Sequence, residues 1–290
     1  MIDAWALTLL HQAARGFSTQ RTPAASDTYT DSRNLELNVV VAGLPRSVTV
    51  APSELIAVYG PLIRMLCEAR ASAGRRLVVG LAGIPGSGKS TLAAVLLEFW
   101  RHLRPGPLLS VVGMDGWHRT NAELDRRLFV AEDGSTMPLR RRKGSPPSFD
   151  AVAFAAALRC IRQSRGDVRI PVYDRRRHEP VRDAGVVPAE ADIVLVEGNY
   201  LLLDTGEWSE VTPQIDLKLW LDIDPDACRE GITARHVAGG LSPDQAARKY
   251  AENDLPNAQI ALATRHRADW VIRSDPRHRL TGLCLASSLP

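Results

Sequence analysis

The chain has 290 residues, of which 45% are apolar and 24% are charged, and its formal net charge is only +3. These proportions are ordinary for a globular protein, and the length fits one large domain or one domain with a smaller attachment. No apolar run reaches the roughly 18 residues that a membrane-spanning helix needs, so we expect no membrane partner.

The first 34 residues predict a short helix followed by a linker. Residues 1–17 lack the basic start and the small-residue cleavage site of a secretion signal, and they are typical of an amphipathic helix. Residues 18–34 are rich in Ser, Thr, Asp and Pro, which predicts a mobile linker. The cysteines are far apart and have no nearby His at metal-ligand spacing, so we expect reduced thiols in a cytoplasmic protein. They are Cys67, Cys160, Cys228 and Cys284.

Residues 35–75 predict a small hairpin-helix appendage. Two β-branched runs flank Ala42 and Gly43, which is typical of a β-hairpin. Pro52 then opens a segment with apolar residues at helical spacing. These are Leu55, Val58, Leu62, Met65 and Leu66.

From residue 76 onward, short apolar strands alternate with helical patterns. The strand segments are residues 76–83, 108–114, 191–198, 215–222 and 268–273. The clearest helical patterns are residues 90–103, 150–163 and 225–237. Because apolar strands alternating with helices are typical of parallel sheets covered on both faces, we predict an α/β domain over residues 76–275. Residues 276–290 are predicted to be a C-terminal tail.

Residues 83–90 match the pattern GxxxxGK(S/T), and they follow a predicted strand and open a predicted helix. The backbone N–H groups of such a loop and the N-terminus of its helix bind phosphate groups. We expect Lys89 to reach the β- and γ-phosphates and Ser90 to hold Mg²⁺. The sequence therefore predicts a three-layer P-loop NTPase fold. The predicted nucleotide-binding residues are Gly83, Pro85, Gly86, Ser87, Gly88, Lys89, Ser90 and Thr91.

Acidic residues follow two of the apolar strands. Asp115 comes after the second strand, and Glu197 ends a later one. Ligand-binding groups in open parallel sheets lie beyond the carboxyl ends of the strands, so both carboxylates are predicted beside the phosphates. Asp115 is a candidate general base or positioning group for an attacking hydroxyl, and Glu197 is a candidate for holding Mg²⁺.

These motifs resemble the uridine kinase, phosphoribulokinase and type I pantothenate kinase branch of the P-loop kinases, from about residue 76 to residue 273. The segments MDGWHR, RRKGSPPSFD and VEGNYLLLD are most similar to loosely characterised bacterial kinases labelled fructose-transport or nucleoside/nucleotide kinases. The resemblance implies transfer of the γ-phosphoryl group of ATP, with Mg²⁺, to a hydroxyl of a small metabolite. It also implies a catalytic role for Asp115 and a transition-state role for Arg235 in a lid.

The resemblance further implies a set of residues that contact the acceptor. PVYD followed by His178 is similar to the PxYDxxxH segment of the family, and Asn257 occupies the place of a substrate-contacting Asn in type I pantothenate kinases. The acceptor candidates are Tyr173, Asp174, Arg175, His178 and Asn257. Two departures disfavour a nucleoside. Residues 143–146, Lys-Gly-Ser-Pro, stand where uridine kinases have an Asp just before a His-Pro pair, and Arg175 replaces a base-stacking aromatic residue. The Tyr-Ser-His triplet of pantothenate kinases is also absent.

Several alternatives stay open on sequence grounds. The arginine-rich runs at residues 140–143 and 175–177 fit either solvated loops or a clamp for a phosphate or carboxylate. They are not interleaved with aromatic residues, which disfavours a nucleic-acid partner. The hairpin-helix segment fits either dimerisation or shaping of the acceptor pocket. A P-loop ATPase or nucleotide-binding regulator without an acceptor is the alternative function, although the NKxD and LSGGQ signatures are absent.

Overall fold

The computed structural model describes residue 8, residues 34–131 and residues 133–288. The predicted N-terminal helix and linker therefore lie outside the described residues, apart from positions 8 and 34. Within the described ranges, every helix is too short or too polar to cross a lipid bilayer.

The secondary structure consists of strands, α-helices and short helical turns. The strands are β1 (Leu35–Val41), β2 (Leu44–Val50), β3 (Leu77–Ala82), β4 (Leu108–Gly113), β5 (Leu128–Val130), β6 (Thr136–Pro138), β7 (Val168–Asp174), β8 (Glu179–Val187), β9 (Ala191–Gly198), β10 (Leu217–Asp222), β11 (Trp270–Ser274) and β12 (Leu280–Leu285). The α-helices are α1 (Pro52–Glu54), α2 (Gly60–Ala73), α3 (Lys89–Leu103), α4 (Asn121–Arg126), α5 (Ala151–Gln163), α6 (Pro225–Ala238), α7 (Pro243–Lys249) and α8 (Leu255–Leu262). Leu55–Tyr59 and Tyr250–Asp254 are π-helical, and 3-10 helices lie at Met114–Trp117, Leu139–Arg142, Pro146–Ser148, Gly206–Glu210, Thr212–Gln214, Arg265–Arg267 and Ala286–Ser288.

The central sheet has six strands in the order β12-β11-β10-β3-β9-β4. All neighbours are parallel except β11 and β12, which are antiparallel. The five predicted apolar strands are confirmed as β3, β4, β9, β10 and β11. The predicted C-terminal tail at residues 276–290 is corrected, because β12 lies within it and pairs with β11 from Trp270↔Leu285 to Ser274↔Leu280.

Successive residues of β3 contact different hydrophobic cores, which explains why the strand is apolar throughout. Leu77, Val79 and Leu81 pack in the core that contains α2 and α3 side chains, whereas Val78 and Ala82 pack in the core that contains α5 side chains. Helices therefore cover both faces of a mainly parallel sheet. The predicted three-layer α/β fold is confirmed.

The predicted hairpin and helix are both present. β1 and β2 pair antiparallel through a two-residue turn at Ala42 and Gly43, with Val41 opposite Leu44. The turn residues have φ values of 49° and 80°, which is the geometry of the tight turns that match the twist of paired strands. Apolar side chains of the hairpin, including Leu37, lie in the same core as those of α2 and α3, so this segment extends one layer of the fold.

Candidate active site

The loop of residues 83–90 connects β3 to α3, which begins at Lys89. Gly86 and Gly88 have φ values of 81° and 94°, in the left-handed region that side chains other than glycine rarely adopt. A Cβ atom on Gly86 would also lie 2.9 Å from Ile232 of α6. The glycines therefore permit both the turn and the close approach of α6 to the loop.

The Lys89 side chain is buried and folds back onto this loop. Its Nζ donates hydrogen bonds to the backbone carbonyl oxygens of Gly83, at 3.0 Å, and Ile84, at 2.8 Å. Burial lowers the pKa of Lys89 to about 8, against the opposing attraction of Glu197 and Asp115. An anion beside the ammonium would favour its charged form, so this side chain is suited to a phosphate group.

Ser90, Glu197 and Asp115 lie together where β3, β4 and β9 end. Glu197 is opposite Leu81 of β3 and opposite Gly113 of β4, which brings the two acidic strand ends side by side. The Ser90 hydroxyl donates a hydrogen bond of 3.0 Å to Glu197 Oε1. Burial, and then repulsion by the Asp115 carboxylate, raise the pKa of Glu197.

These oxygen atoms fit Mg²⁺. A divalent cation beside Glu197 would offset the cost of burying that carboxylate, and the Ser90 hydroxyl oxygen could be a second ligand. Across the described ranges, His, Cys, Asp and Glu side chains form no cluster of three or more that could hold a metal. Mg²⁺ is usually held by one or two protein oxygen groups together with water molecules and substrate phosphates, so Ser90 and Glu197 are the residues that could hold it.

Asp115 is held by groups from two directions. Arg175 Nη2 donates a hydrogen bond to Asp115 Oδ2 at 2.5 Å, and His118 Nδ1 lies 3.0 Å from the Asp115 backbone oxygen. A Cβ atom on Gly116 would lie only 2.3 Å from the backbone oxygen of Pro171 in β7. Glycine at this position therefore lets β7 approach the end of β4, and this contact carries Arg175 to Asp115.

Tyr173 is surrounded by cationic and aromatic groups. Its ring centroid lies 5.0 Å from the ring of His118. Lys143 Nζ and Arg175 Cζ each lie 5.3 Å from the Tyr173 centroid, within range of a cation–π interaction. Lys143 Nζ also donates a 2.7 Å hydrogen bond to Asn121 Oδ1. Burial raises the pKa of Tyr173 to about 12.

The other acceptor candidates have different environments. Asp174 Oδ1 accepts hydrogen bonds from the backbone N–H groups of Arg176, at 2.8 Å, and Arg177, at 3.1 Å, so its carboxylate stabilises the β7–β8 turn. His178 is exposed and has a φ of 54° in the same turn. Asn257 is only 2% exposed, and its Oδ1 has no hydrogen-bond partner among the described residues. Tyr173 and Arg175 thus line the same cavity as Asp115, whereas Asp174, His178 and Asn257 are not among the described residues that line it.

The arginine-rich run at residues 140–143 is tied to other parts of the chain. Arg140 forms an ion pair with Asp125 at 3.2 Å. Arg142 donates a hydrogen bond to the backbone oxygen of Glu252. Two arginines of this run therefore have partners within the protein, and its lysine is the member that contacts the Tyr173 ring.

Two cavities meet at this site. The loop cavity, of about 530 Å³, is lined by residues 86–92, Arg235 and residues 277–280, with the β1–β2 hairpin along one side. The Asp115 cavity, of about 220 Å³, is lined by Asp115, Tyr173, Arg175, Glu197 and Ser90, together with apolar residues. Ser90 and Arg175 line both cavities. The predicted loop residue Thr91 and the predicted lid residue Arg235 thus lie in the same cavity as Lys89.

Sequence reasoning did not anticipate two parts of this site. Lys143 was noted as a member of an arginine-rich run and as a departure from uridine kinases, but not as a neighbour of Tyr173. Shaping of the acceptor pocket was left open for the hairpin-helix segment, without placing the tip of the β1–β2 hairpin in either cavity. The sequence signal that pointed to Lys143 was its departure from the segment found in uridine kinases. No local sequence signal places a hairpin beside a helix that follows it by about 50 residues.

Comparison with known proteins gives several matches. The family of the methylmalonyl Co-A mutase-associated GTPase MeaB matches residues 44–116, which include the loop but stop short of Glu197. The protein YggC of Escherichia coli (strain K12) is 33% identical over 243 residues, or 82% of this chain and 95% of YggC. A candidate uridine kinase of Schizosaccharomyces pombe is 32% identical over 186 residues, or 63% of this chain and 77% of that protein. The crystal structure of a candidate fructose transport system kinase from Silicibacter sp. TM1040 superposes with a TM-score of 0.60 and 31% identity, covering 69% of this chain and 93% of the other.

Proposed function

Because this chain belongs to the P-loop kinase superfamily that includes uridine kinases and pantothenate kinases, we propose that it transfers the γ-phosphoryl group of ATP to a hydroxyl of a small metabolite. The observation that carries this proposal is the meeting of the two cavities at Ser90 and Arg175. A nucleotide in the loop cavity would present its last phosphate to a hydroxyl in the Asp115 cavity. The acceptor is a sugar, a polyol, a nucleoside or a pantothenate-like alcohol.

Each residue of the site has a role in this proposal. Lys89 and Arg235 neutralise the charge of the transferring phosphoryl group, and the loop backbone holds the other phosphates. Ser90 and Glu197 hold Mg²⁺, which neutralises phosphate charge when it is bound. Asp115 accepts the proton of the acceptor hydroxyl or orients that hydroxyl toward the phosphorus atom. Nucleoside diphosphate and a phosphate ester are the products.

A phosphorylation screen tests the proposal. Consumption of ATP, and of GTP in parallel, is measured with panels of sugars, polyols, nucleosides and pantothenate-like alcohols. A kinase should stay near its background turnover until an acceptor is added, and the phosphate ester should then appear in equal amount. Constant turnover that no acceptor changes would instead support an ATPase or a nucleotide-binding regulator.

The metal dependence gives a first prediction. Removing the Ser90 hydroxyl in Ser90→Ala, or the Glu197 charge in Glu197→Gln, is expected to raise the Mg²⁺ concentration for half-maximal activity by roughly 10- to 100-fold. The first change removes a ligand oxygen, and the second replaces a charged carboxylate by a neutral amide that binds the cation less strongly. A Mg²⁺ titration of the initial rate measures the effect, and Ser72→Ala, at an exposed serine of α2, is the matched control. Turnover that persists unchanged in EDTA would contradict the metal assignment.

A second prediction separates Arg175 from its neighbour. Arg175→Ala is expected to lower kcat/KM for the acceptor by roughly 10- to 100-fold, the usual effect of losing a hydrogen bond to a charged group. The guanidinium contacts Asp115, whereas Arg176 uses its backbone N–H in the turn and lines neither cavity. Steady-state kinetics of Arg175→Ala and Arg176→Ala measure the difference. Equal effects of the two variants would show that Arg175 has no particular role.

A further inference from the structure

The Asp115 cavity continues away from the two carboxylates into an apolar region. Its walls there come from three separate elements, which are α3, β7 and the tip of the β1–β2 hairpin. The residues are Ala93, Ala94, Leu97, Val172, Val40 and Ala42. Val40 is 66% exposed and Val172 is 42% exposed. Exposed apolar side chains that converge on a cavity with polar groups at one end are typical of a site for a partly apolar ligand.

The hairpin tip has a second unusual feature. Ala42 has a φ of 49°, in the left-handed region where turns of this kind favour Asn, Asp or Gly. Ala42 also lines both the loop cavity and the Asp115 cavity. Asn or Asp at this position would suit the turn better but would add a polar group to both cavities. A disfavoured backbone conformation at a cavity wall is typical of a functional position.

We propose that the tip of the β1–β2 hairpin selects the acceptor, and that the acceptor carries a small apolar body, an alkyl chain or a flat ring, next to its hydroxyl. The apolar body lies between Val40 and Val172 while the hydroxyl lies at Asp115. This inference rests on the proposed kinase function. The cavity volume of about 220 Å³ is below the roughly 300–1,000 Å³ of pockets for drug-sized ligands, so the apolar body is small. A bare polyol would leave the apolar wall uncovered.

Two matched alcohols test the inference by binding alone. Glycerol and 3-phenoxypropane-1,2-diol share a diol end, and only the second carries an apolar ring. Each is titrated calorimetrically into the full chain with Mg²⁺ and a non-hydrolysable ATP analogue. The phenoxy compound is expected to bind about tenfold more tightly or better, because an apolar pocket distinguishes groups of this size by that much.

Substitutions at the tip of the β1–β2 hairpin test whether the hairpin causes the preference for the phenoxy compound. Val40→Asp and Ala42→Asn are expected to lower the affinity ratio of the two alcohols about tenfold. Val40 is exposed and Asn suits the turn at Ala42, so both variants should fold. Val130→Asp is the matched control, because Val130 is a 63% exposed valine on β5 that lines neither cavity.

The outcomes separate this inference from the kinase function. Equal affinities of the two alcohols for the unmodified protein would contradict the proposed apolar subsite. An affinity ratio that neither hairpin substitution changes would contradict it as well. Those results would leave intact any phosphate transfer found in the acceptor screen. Conversely, a protein that transfers phosphate to no acceptor would contradict the kinase function, while the affinity ratio would still decide whether the hairpin forms an apolar subsite.

Discussion

Replacing Lys89 by alanine is expected to lower the rate of phosphoryl transfer by roughly 10²-fold or more, because the variant loses the buried cation that we propose neutralises the transferring phosphate. The ammonium contacts the backbone oxygens of Gly83 and Ile84 and lies on the floor of the loop cavity. Its removal takes away charge stabilisation that water cannot easily replace in a buried site. The measurement is the single-turnover rate at saturating ATP, Mg²⁺ and acceptor.

A stability measurement must accompany this rate. Alanine at position 89 removes a donor from the carbonyl groups of Gly83 and Ile84, of which Ile84 keeps a hydrogen bond of 3.2 Å from the Ser87 N–H. An unsatisfied buried group costs about 1–3 kcal/mol. The free energy of unfolding of Lys89→Ala, from a denaturant titration, shows whether the variant is folded under assay conditions. Lys249→Ala, at an exposed lysine that ends α7, is the matched control. A folded Lys89→Ala protein with near-normal transfer would refute the loop assignment.

The layered fold could be predicted because the pattern that identifies it is local. Each strand of the parallel sheet contacts a core on both faces, so β3 and β9 are apolar at nearly every position and stand out from the helices between them. The loop motif then identifies the edge of the sheet where ligands bind. Asp115 and Glu197 meet there because their strands are neighbours and parallel. The positions of the strand ends were therefore enough to predict that these two carboxylates lie together, without knowledge of side-chain contacts.

The periphery of the site could not be predicted in this way, because contacts between distant segments determine it. Nothing in the sequence near Gly116 shows that the backbone of Pro171 will lie against it, yet that contact brings Arg175 to Asp115. Asp174 adjoins Tyr173 in sequence, but its carboxylate accepts hydrogen bonds in the β7–β8 turn, whereas Tyr173 lines the Asp115 cavity. A motif of adjacent residues thus divides into side chains with separate roles.

The two ends of the described chain show the same limit. β12 has few fully buried residues, and its assignment depends on the antiparallel partner β11. The β1–β2 hairpin was predicted from its turn, but its position beside α3 follows from packing in the core shared with the sheet. The domain boundary placed between residues 75 and 76 stays a prediction. Side chains from both sides of that boundary lie in the same core.

Replacing Asp115 by asparagine is expected to preserve binding of ATP and Mg²⁺ and to lower phosphoryl transfer by about 10²- to 10⁴-fold, the usual contribution of a positioned general base. The amide keeps the size of the side chain but cannot accept the proton of the acceptor hydroxyl. It also loses the charge that pairs with Arg175. Asp125→Asn is the matched control, because it breaks an exposed ion pair with Arg140 outside both cavities.

Two measurements decide what the Asp115 carboxylate contributes. The transition state of phosphoryl transfer is loose in most reactions and needs little early proton removal, so positioning of the hydroxyl could account for part of the loss. An unchanged acceptor affinity with a collapsed single-turnover rate would assign the role of general base. A collapsed affinity would assign positioning, and restoring the rate at high acceptor concentration would support it. Transfer at the rate of the unmodified protein would contradict a catalytic role for Asp115, although its carboxylate contacts Arg175 at the junction of the two cavities, and the catalytic group would then lie elsewhere.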